Sequence, residues 1–574
     1  MIKKYYKKIL TEIQTLPKWM ILLIIIISLL STVHLLILMN APDGLVFVEY
    51  GDDLPHLAAM KSVEWGFTDP WSERSIFSVT YTSPFLFVPL GIIAYVLSID
   101  YFIFFYVFKI LVSFVYIFAV YKFMRFFYPK YAKNSLILFL LFAGIGGWIY
   151  LTFYALGTDT DIVAGITYDY LPESAFVNIF SHITRIYYMV PVICGLLSIL
   201  FFAKERSIIA GIFLGLSFVF YPVSGLGFAI IILIYSLLYS KTIKEAIKKV
   251  LPVALVMFII SIPALYMQLI DTYYVDIYIK YHRGSASLLK LIVSFLPFAV
   301  LSVYYLKKPI AKKSYILGIL GFVISAIFVH HQLTSTVNFI EYIFPGFVFV
   351  SSIYIFYSKM KKEDKFLLIW IVIMAWMSVA STEIVPWNAH RFTIFLLLPL
   401  TLLATKGVVK LGKSLSINHN KIILLMVLIA LPTFILYNME FQIFLKKSNP
   451  YIYENLFEPI KYLESLPSGT VFSSGYPGHF IPYYSGHKSI SSSEALRMVE
   501  QEEDIEKFYT GDDETKLAIL EKYNAKYVFY SPHERQIGDT KFDEKYFRLI
   551  YNNSDTQEWY DIYYTYVVIY EVVE

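Results

Sequence analysis

The chain has 574 residues, of which 57% are hydrophobic and only 16% are charged. A soluble protein of this size cannot bury so much apolar surface, so the composition excludes a water-soluble globular fold and predicts a polytopic α-helical membrane protein. The single cysteine, Cys194, excludes an intramolecular disulfide and a cysteine metal cluster. The formal net charge of +4 is less informative than the positions of the charges.

About thirteen apolar runs predict transmembrane helices. They cover residues 19–39, 101–124, 134–153, 183–203, 207–221, 223–240, 250–270, 288–306, 314–330, 339–358, 366–381, 392–408 and 420–440. One further run, Pro84–Ile99, is about sixteen residues long, whereas a membrane span needs about 20.

Lysine and arginine residues predict the orientation in the membrane. Lysines before the first span place the amino terminus in the cytoplasm, and the connection 122–133 is basic as well. Only two crossings fit between these cytoplasmic segments, so we expect Pro84–Ile99 to be interfacial or re-entrant. The later basic connections then also face inward, with Lys446 and Lys447 as an exception. We therefore expect a multi-pass protein of the plasma membrane.

The sequence predicts a membrane module at 1–440, whose first outer loop, 40–100, carries juxtamembrane helices, and an extracytoplasmic α/β domain at 441–574. The elements expected in this tail are a helix at Tyr453–Leu466, a strand at Thr470–Ser473, a helix near 513–523, a strand at Ala525–Tyr530 and a strand within Asp561–Val573.

The first outer loop contains two adjacent carboxylates and an imidazole, Asp52, Asp53 and His56. Either acid can cap a following helix, and Pro55 suits the first turn of that helix. Apolar residues at helical spacing predict that this helix lies along the membrane surface. A carboxylate at this position could act as a general base. The alternative is that the acids only cap an interfacial helix.

Arginines begin two of the apolar helices, at Arg185 and Arg391. A guanidinium offers a rigid fork for a pair of phosphate oxygens, so both are candidates to bind a donor phosphate, as are the neighbouring His390 and the outer-loop Arg283. For each of these residues the alternative is simple exposure to water.

Two further ionisable sites leave alternatives open. Asp159 and Asp161 resemble a carboxylate pair that could bind Mg²⁺ or Mn²⁺, or they are solvated loop residues. Lys109 either extends outward to water or lines a cavity. The rest of the membrane midplane is apolar, which argues against ion-coupled transport.

The overall pattern resembles the GT-C superfamily of integral-membrane glycosyltransferases. The order of spans, first loop and tail is similar over nearly the whole chain. Similarity of specific residues is limited to a few short segments. These segments are Gly51-Asp52-Asp53-Leu54-Pro55-His56-Leu57, Thr82-Ser83-Pro84-Phe85-Leu86, Phe220-Tyr221-Pro222, His390-Arg391-Phe392 and Asn524-Ala525-Lys526-Tyr527-Val528-Phe529-Tyr530.

The resemblance implies transfer of a sugar from a polyprenyl-phosphate or dolichyl-phosphate donor to a lipid, glycan or protein acceptor on the outer face. Asp53 or Asp52 would act as the base, with inversion at the anomeric carbon, and His56 would orient the acid or contact the sugar. We expect membrane lipids as partners and no nucleic acid.

The sequence also departs from parts of the superfamily pattern. The tail lacks the Trp-Trp-Asp-type motif of oligosaccharyltransferase catalytic subunits, and the first-loop pair is Asp-Asp where protein O-mannosyltransferases have Asp-Glu. The competing functions are a lipid-linked glycan flippase or exporter, and a glycan polymerase or ligase.

Overall fold

The computed structural model describes most of the chain, and every structural statement here concerns those residues. They are 16–32, 45–47, 53–71, 76–78, 83–142, 185–270, 288–306, 358–379, 389–447, 451–492, 495–554 and 566–573, with the single residues 155, 183 and 355.

The described chain is mostly helical. Its α-helices are α1 (Lys18–Leu30), α2 (Asp53–Lys61), α3 (Pro84–Val96), α4 (Tyr101–Phe127), α5 (Ala132–Leu141), α6 (Ile186–Ala203), α7 (Ser207–Phe220), α8 (Pro222–Tyr239), α9 (Ile243–Ile270), α10 (Leu288–Leu306), α11 (Lys362–Val379), α12 (Leu397–Leu415), α13 (His419–Lys447), α14 (Glu454–Leu463), α15 (Gly475–Ser485), α16 (Ala495–Thr510), α17 (Asp513–Lys522) and α18 (Pro532–Ile537). Short 3₁₀ segments lie at Ser62–Trp65, Ile76–Ser78 and Ala389–Phe395.

Strands are short and concentrate in the tail. They are β1 (Leu45–Phe47), β2 (Tyr451–Tyr453), β3 (Thr470–Phe472), β4 (Lys488–Ser489), β5 (Ala525–Tyr530), β6 (Phe547–Asn552) and β7 (Val568–Val572). The chain divides into two compact units. The first unit contains residues 1–33, 107–263 and 282–441, and the second contains 34–106, 264–281 and 442–574.

The prediction of a helical chain with several apolar helices is confirmed. Within the described residues, 5 helices are long and apolar enough to cross a membrane. They lie at Tyr101–Phe127, Ile186–Ala203, Pro222–Tyr239, Ile243–Met267 and Arg391–Leu415. The predicted spans at 314–330 and 339–358 lie outside the described residues, so the number thirteen stays a prediction.

Helix α3 corresponds to the run that was expected not to cross the membrane. It has 13 residues, which at about 1.5 Å per residue is about 20 Å long, whereas the hydrocarbon core of a bilayer is about 30 Å thick. Its length agrees with an interfacial or re-entrant helix.

In the first unit, connections that were all predicted to face the cytoplasm contact one another. Lys406 of α12 forms a buried ion pair with Asp364 at the start of α11. Tyr305, at the end of α10, donates a hydrogen bond of 2.9 Å to the same carboxylate. The hydroxyl of Tyr128, just after α4, donates to the carbonyl oxygen of Glu363 at 2.6 Å. These contacts bring together parts of four helices within the unit, and the predicted orientation in the membrane stays a prediction.

The second unit contains a five-stranded sheet in the order β4-β3-β5-β7-β6. Strands β4, β3 and β5 are parallel, and β7 runs antiparallel to both β5 and β6. The predicted strand at Ala525–Tyr530 matches β5 at both ends, and β3 ends one residue before the predicted limit. Helix α14 ends at Leu463, three residues before the predicted limit.

The first loop packs with the tail inside this second unit. Strand β1 pairs antiparallel with β2, and Leu54 shares a buried hydrophobic core with Ile452, Val471 and Ile481 of the tail. Sequence patterns assign the loop to the membrane module, because such local patterns do not reveal this long-range packing. The predicted boundary near residue 441 stays a prediction.

Helix α2 differs from the surface helix that the sequence predicts. It begins at Asp53 as expected, but every residue from Asp53 to Met60 is buried in the protein. Helices α3 and α15 pack against it, so its polar residues do not form an exposed face. The helix is therefore not an exposed surface helix, and its place at the membrane interface stays a prediction.

Candidate functional site

Asp53, the first residue of α2, is the best-defined acid in the predicted site. Its side chain is 3% exposed, and its Oδ2 accepts a hydrogen bond of 3.0 Å from the hydroxyl of Tyr106 on α4. A buried carboxylate is costly unless it is hydrogen-bonded, so Tyr106 both stabilises and orients it. The predicted general-base candidate is thus held in place by a tyrosine that the sequence analysis missed.

His56 lies one helical turn beyond Asp53 on the same side of α2. Its ring is buried and stacks on Phe87 of α3, with ring centroids 4.3 Å apart and an interplanar angle of 18°. Phe87 in turn stacks on Phe105 of α4 at 5.9 Å. The imidazole therefore sits at the end of an aromatic stack that fixes its plane, and it stays a candidate to contact the sugar or to orient the acid.

A close approach between α2 and α3 positions both residues. A Cβ atom on Gly91 of α3 would lie 2.1 Å from the carbonyl oxygen of Met60, so only glycine permits this approach. At the far end of α2, the Lys61 ammonium donates to the carbonyl oxygen of Tyr483 on α15 at 2.7 Å. The helix that carries Asp53 is thus held at its end by both the loop and the tail.

In the first unit, the structure brings together Arg185 and Arg391 through a tyrosine cluster. Arg391 donates from Nη1 to the hydroxyl oxygen of Tyr221 at 2.5 Å, and its guanidinium lies 5.6 Å from the centre of that ring. Arg185 lies 5.6 Å from the ring of Tyr188, and the rings of Tyr188 and Tyr221 meet edge to face at 5.4 Å. Two predicted phosphate-binding residues that are distant in sequence therefore share one cluster.

The sequence contained signals that could have pointed to these tyrosines as partners of the arginines, but the signals were not specific. Tyr221 lies in the quoted Phe220-Tyr221-Pro222 segment, and Tyr188 follows Arg185 by three residues. The chain has 49 tyrosines, so their presence near an arginine does not select them. Only the packing of α6 against α8 shows which ones meet the arginines.

Lys109 is fully buried within the first unit, so the alternative in which it extends outward to water is wrong. It follows Tyr106 by three residues on α4, and helical spacing places both residues on one side of that helix. A buried lysine at this point marks this side of α4 as polar in an otherwise apolar helix.

Several predicted site residues lie outside the described part of the chain. They are Asp52, Arg283, Asp159 and Asp161, together with the side chain of His390. Among the residues that are described, no group of three or more His, Cys, Asp or Glu side chains is placed to hold a metal ion. The Mg²⁺ or Mn²⁺ site at Asp159 and Asp161 stays a prediction.

Comparison with known proteins finds similarity in structure only. No protein-family model and no curated protein matches the sequence. Solved structures of the oligosaccharyltransferase of Archaeoglobus fulgidus are similar to this chain. One, tethered with an acceptor peptide, is 15% identical over 97% of this chain and 74% of that chain, with a TM-score of 0.47. Another, in complex with an inhibitory peptide and a dolichol-phosphate, is 15% identical over 94% of this chain and 73% of that chain, with a TM-score of 0.47.

At this TM-score and identity, the likeness transfers neither an activity nor the role of any residue to this chain.

Proposed function

We propose that this protein is a membrane glycosyltransferase that moves a sugar from a polyprenyl-phosphate or dolichyl-phosphate donor to an acceptor hydroxyl on the extracytoplasmic face. The observation that carries the proposal is the buried carboxylate of Asp53, which begins a helix, accepts a hydrogen bond from Tyr106 and lies one turn from the stacked ring of His56. The donor class follows from the sequence resemblance.

Asp53 would act as the general base. Its carboxylate takes the proton of the acceptor hydroxyl while the hydroxyl oxygen attacks the anomeric carbon of the sugar. The new bond joins the acceptor oxygen to that carbon, and the bond from the carbon to the phosphate oxygen breaks. Because attack is opposite to the leaving group, the configuration at the anomeric carbon inverts.

The leaving group is a polyprenyl phosphate, which departs with the bonding electrons and an added negative charge. Arg391 and Arg185 would bind this phosphate, since a guanidinium pairs with two oxygens at once and stabilises charge that develops in the transition state. The hydrogen bond from Arg391 to Tyr221 restricts the guanidinium to one orientation. No step is assigned to a metal ion.

Sugar transfer by the purified protein from a polyprenyl-phosphate-linked sugar tests the proposal. Asp53→Asn keeps the size of the side chain but cannot take the proton, and we expect the turnover rate to fall about 10²–10⁴-fold. Asp100→Asn is the matched control, because Asp100 is exposed and its side chain accepts from the amide of Ile103, which an asparagine can also do.

A second variant tests the phosphate site. Arg391→Lys replaces a planar fork by a single ammonium, so we expect a higher KM for the donor with a smaller change in kcat. If Asp53→Asn keeps near-normal turnover while the protein remains folded, the glycosyltransferase assignment of this loop is wrong. Movement of the intact lipid-linked glycan across a vesicle membrane would then support the flippase alternative.

A further inference from the structure

A cavity of about 730 Å³ opens in the second unit, on the side of the sheet where the parallel strands β3, β4 and β5 begin. Its wall is lined by residues other than Asp53, His56 and Tyr106. The volume lies within the range of about 300–1,000 Å³ that is usual for small-molecule sites. The cavity is therefore large enough for a ligand and separate from the candidate catalytic residues.

Three aromatic residues lie in the wall of this cavity, and hydrogen bonds fix each of them. Trp71 is 1% exposed and its ring stacks on His479, so it supports the wall, whereas Trp65 and Tyr523 are partly exposed. The indole N–H of Trp65 donates to the carbonyl oxygen of Gly486 at 3.3 Å, and that of Trp71 donates to Gly478 at 2.8 Å. The hydroxyl of Tyr523 donates to a carboxylate oxygen of Asp504 at 2.6 Å. Since their polar atoms are engaged, what the rings of Trp65 and Tyr523 offer to a ligand is flat apolar surface.

Gln501 of α16 supplies an acceptor in the same wall. Its side chain is 7% exposed, and within the described residues its Oε1 has no hydrogen-bond partner. A buried carbonyl oxygen without a partner is unfavourable, and most such atoms in proteins are satisfied. The amide therefore indicates a ligand that brings a hydrogen-bond donor into the cavity.

The remaining polar lining is mixed in character. Hydroxyl groups come from Ser468 and Thr470, and charged side chains of both signs come from Glu64, Lys488 and Lys522. The ammonium of Lys522 forms an ion pair with Asp504. Because the opposite charges occur together, the wall does not favour a polyanion. It favours a neutral ligand with many groups that both donate and accept hydrogen bonds.

We infer that this cavity is a saccharide-binding site. A pyranose ring combines an apolar C–H face with a rim of hydroxyl groups, which matches fixed aromatic faces beside a buried amide oxygen and hydroxyl side chains. The first loop supplies the ring of Trp65, and the tail supplies the ring of Tyr523 and the amide, so the site exists only when loop and tail are packed together. Binding at this site requires no lipid-linked donor and no transfer reaction.

The test measures saccharide binding by the purified full-length protein in detergent. Three probes are titrated separately: an oligomer of glucose, an oligomer of N-acetylglucosamine and an oligomer of galacturonic acid. Tryptophan fluorescence, which Trp65 and Trp71 report, and calorimetry give the dissociation constant. We expect saturable binding of at least one of the two neutral oligomers and weaker binding of the acidic one.

Variants locate the binding. Gln501→Leu removes the acceptor, and Trp65→Ala removes one ring, and we expect each to weaken binding at least 10-fold. Gln536→Leu is the matched control, because Gln536 is an exposed glutamine of α18 outside the cavity, and we expect it to leave the affinity unchanged. Asp53→Asn should also bind the saccharide normally, which separates this site from the proposed catalytic residue.

Three outcomes would overturn the assignment. The first is that none of the three oligomers shows saturable binding. The second is that Gln501→Leu and Trp65→Ala bind the oligomer as tightly as wild type does. The third is that an unglycosylated peptide binds more tightly than the oligomer and displaces it. In the last case the cavity would be a peptide site. Circular dichroism of the variants checks that a loss of binding does not reflect a loss of folding.

Discussion

At the scale of single residues, the contact between Tyr106 and Asp53 shows how a loop acid becomes a defined chemical group. The acid comes from the first loop and the tyrosine from the start of a long apolar helix, 53 residues later in the sequence. Both side chains are buried, so their hydrogen bond replaces the water that each would otherwise bind. The bond also fixes the orientation of the carboxylate.

Tyr106 can be tested as a positioning residue. Tyr106→Phe keeps the ring and removes the hydroxyl, and hydrogen bonds to charged groups contribute about 1.5–3 kcal/mol. We expect kcat for sugar transfer to fall roughly 10-fold or more, with little change in the KM for the donor. Steady-state kinetics, with donor and acceptor varied in turn, measure kcat and KM separately.

Tyr95→Phe is the control for that variant, because Tyr95 lies in α3 and is 59% exposed. Equal kinetics for Tyr106→Phe and wild type would mean that the hydroxyl does not position the base. A rise in KM alone would instead assign Tyr106 to substrate binding.

At the scale of elements, the crossing of α2 and α3 holds the candidate site in place. Gly91 lets the two helices approach until backbone meets backbone, and the buried helix α2 begins with Asp53. Any side chain at position 91 has to push the helices apart. The position of the acid is thus set by a glycine that makes no chemical contribution of its own.

Gly91→Ala should separate the two helices. Overpacking of a close contact usually costs about 1–3 kcal/mol, and misplacement of a catalytic group by 1 Å can cost about 10²-fold in rate. We expect a lower thermal unfolding midpoint and a large loss of transfer activity. Ile92→Ala is the control, since Ile92 is 40% exposed on the same helix.

The edge of the tail sheet carries a pH-sensitive element. His487, directly before β4, is 1% exposed, and its Nε2 lies 2.7 Å from the carbonyl oxygen of Leu463. Burial lowers the pKa of this imidazole because the charged form loses its hydration, and the nearby Lys526 adds to the effect. The folded tail therefore holds His487 neutral.

This depressed pKa makes stability depend on pH in a definite direction. Below about pH 6.5 the unfolded chain binds a proton that the folded chain does not, so stability is complete above that pH and falls as the pH is lowered. The loss is at most about 1.4 kcal/mol for each pH unit. Thermal unfolding of the full-length protein at pH 7.5 and 5.5 measures it.

His487→Gln keeps a hydrogen-bond donor but does not titrate, so we expect a smaller drop in the unfolding midpoint between the two pH values. A residual drop is expected from His533, whose pKa is also lowered by burial. If the drop is as large in His487→Gln as in wild type, His487 does not contribute to the acid sensitivity.

At the scale of the whole molecule, the direction of the chain in the membrane determines where chemistry takes place. Contacts among Tyr128, Tyr305, Asp364 and Lys406 bring together parts of four helices within the first unit. The positive-inside rule predicts that the basic connections of these helices lie in the cytoplasm. From the predicted number of spans, the first loop and the tail are expected to lie on the outer side.

Labelling of single cysteines tests this orientation in a Cys194→Ser background. Lys130 and Gln536 are exposed, in the basic connection after α4 and in the tail respectively. We expect an impermeant maleimide added to intact cells to label Gln536→Cys and to label Lys130→Cys only after permeabilisation. Labelling of Lys130→Cys in intact cells would mean that the predicted topology is wrong. The proposal of an outer catalytic face would then lose its support.

The sequence by itself determined the mostly helical, apolar character, a helix beginning at the Asp52-Asp53 pair and the strand Ala525–Tyr530. These features depend on hydrophobic periodicity, composition and turn residues, which act over short distances along the chain. The candidate catalytic acids of the first loop were recognised for the same reason, because Asp52 and Asp53 are adjacent in sequence.

Only the tertiary structure decided how distant residues meet. It showed that α2 is buried rather than lying on a surface, that Tyr106 holds Asp53, and that Arg185 and Arg391 share a tyrosine cluster. Local patterns cannot specify such contacts, because many tyrosines and apolar faces are chemically equivalent until packing selects among them. The close packing of helices, and of the first loop with the tail, made that selection.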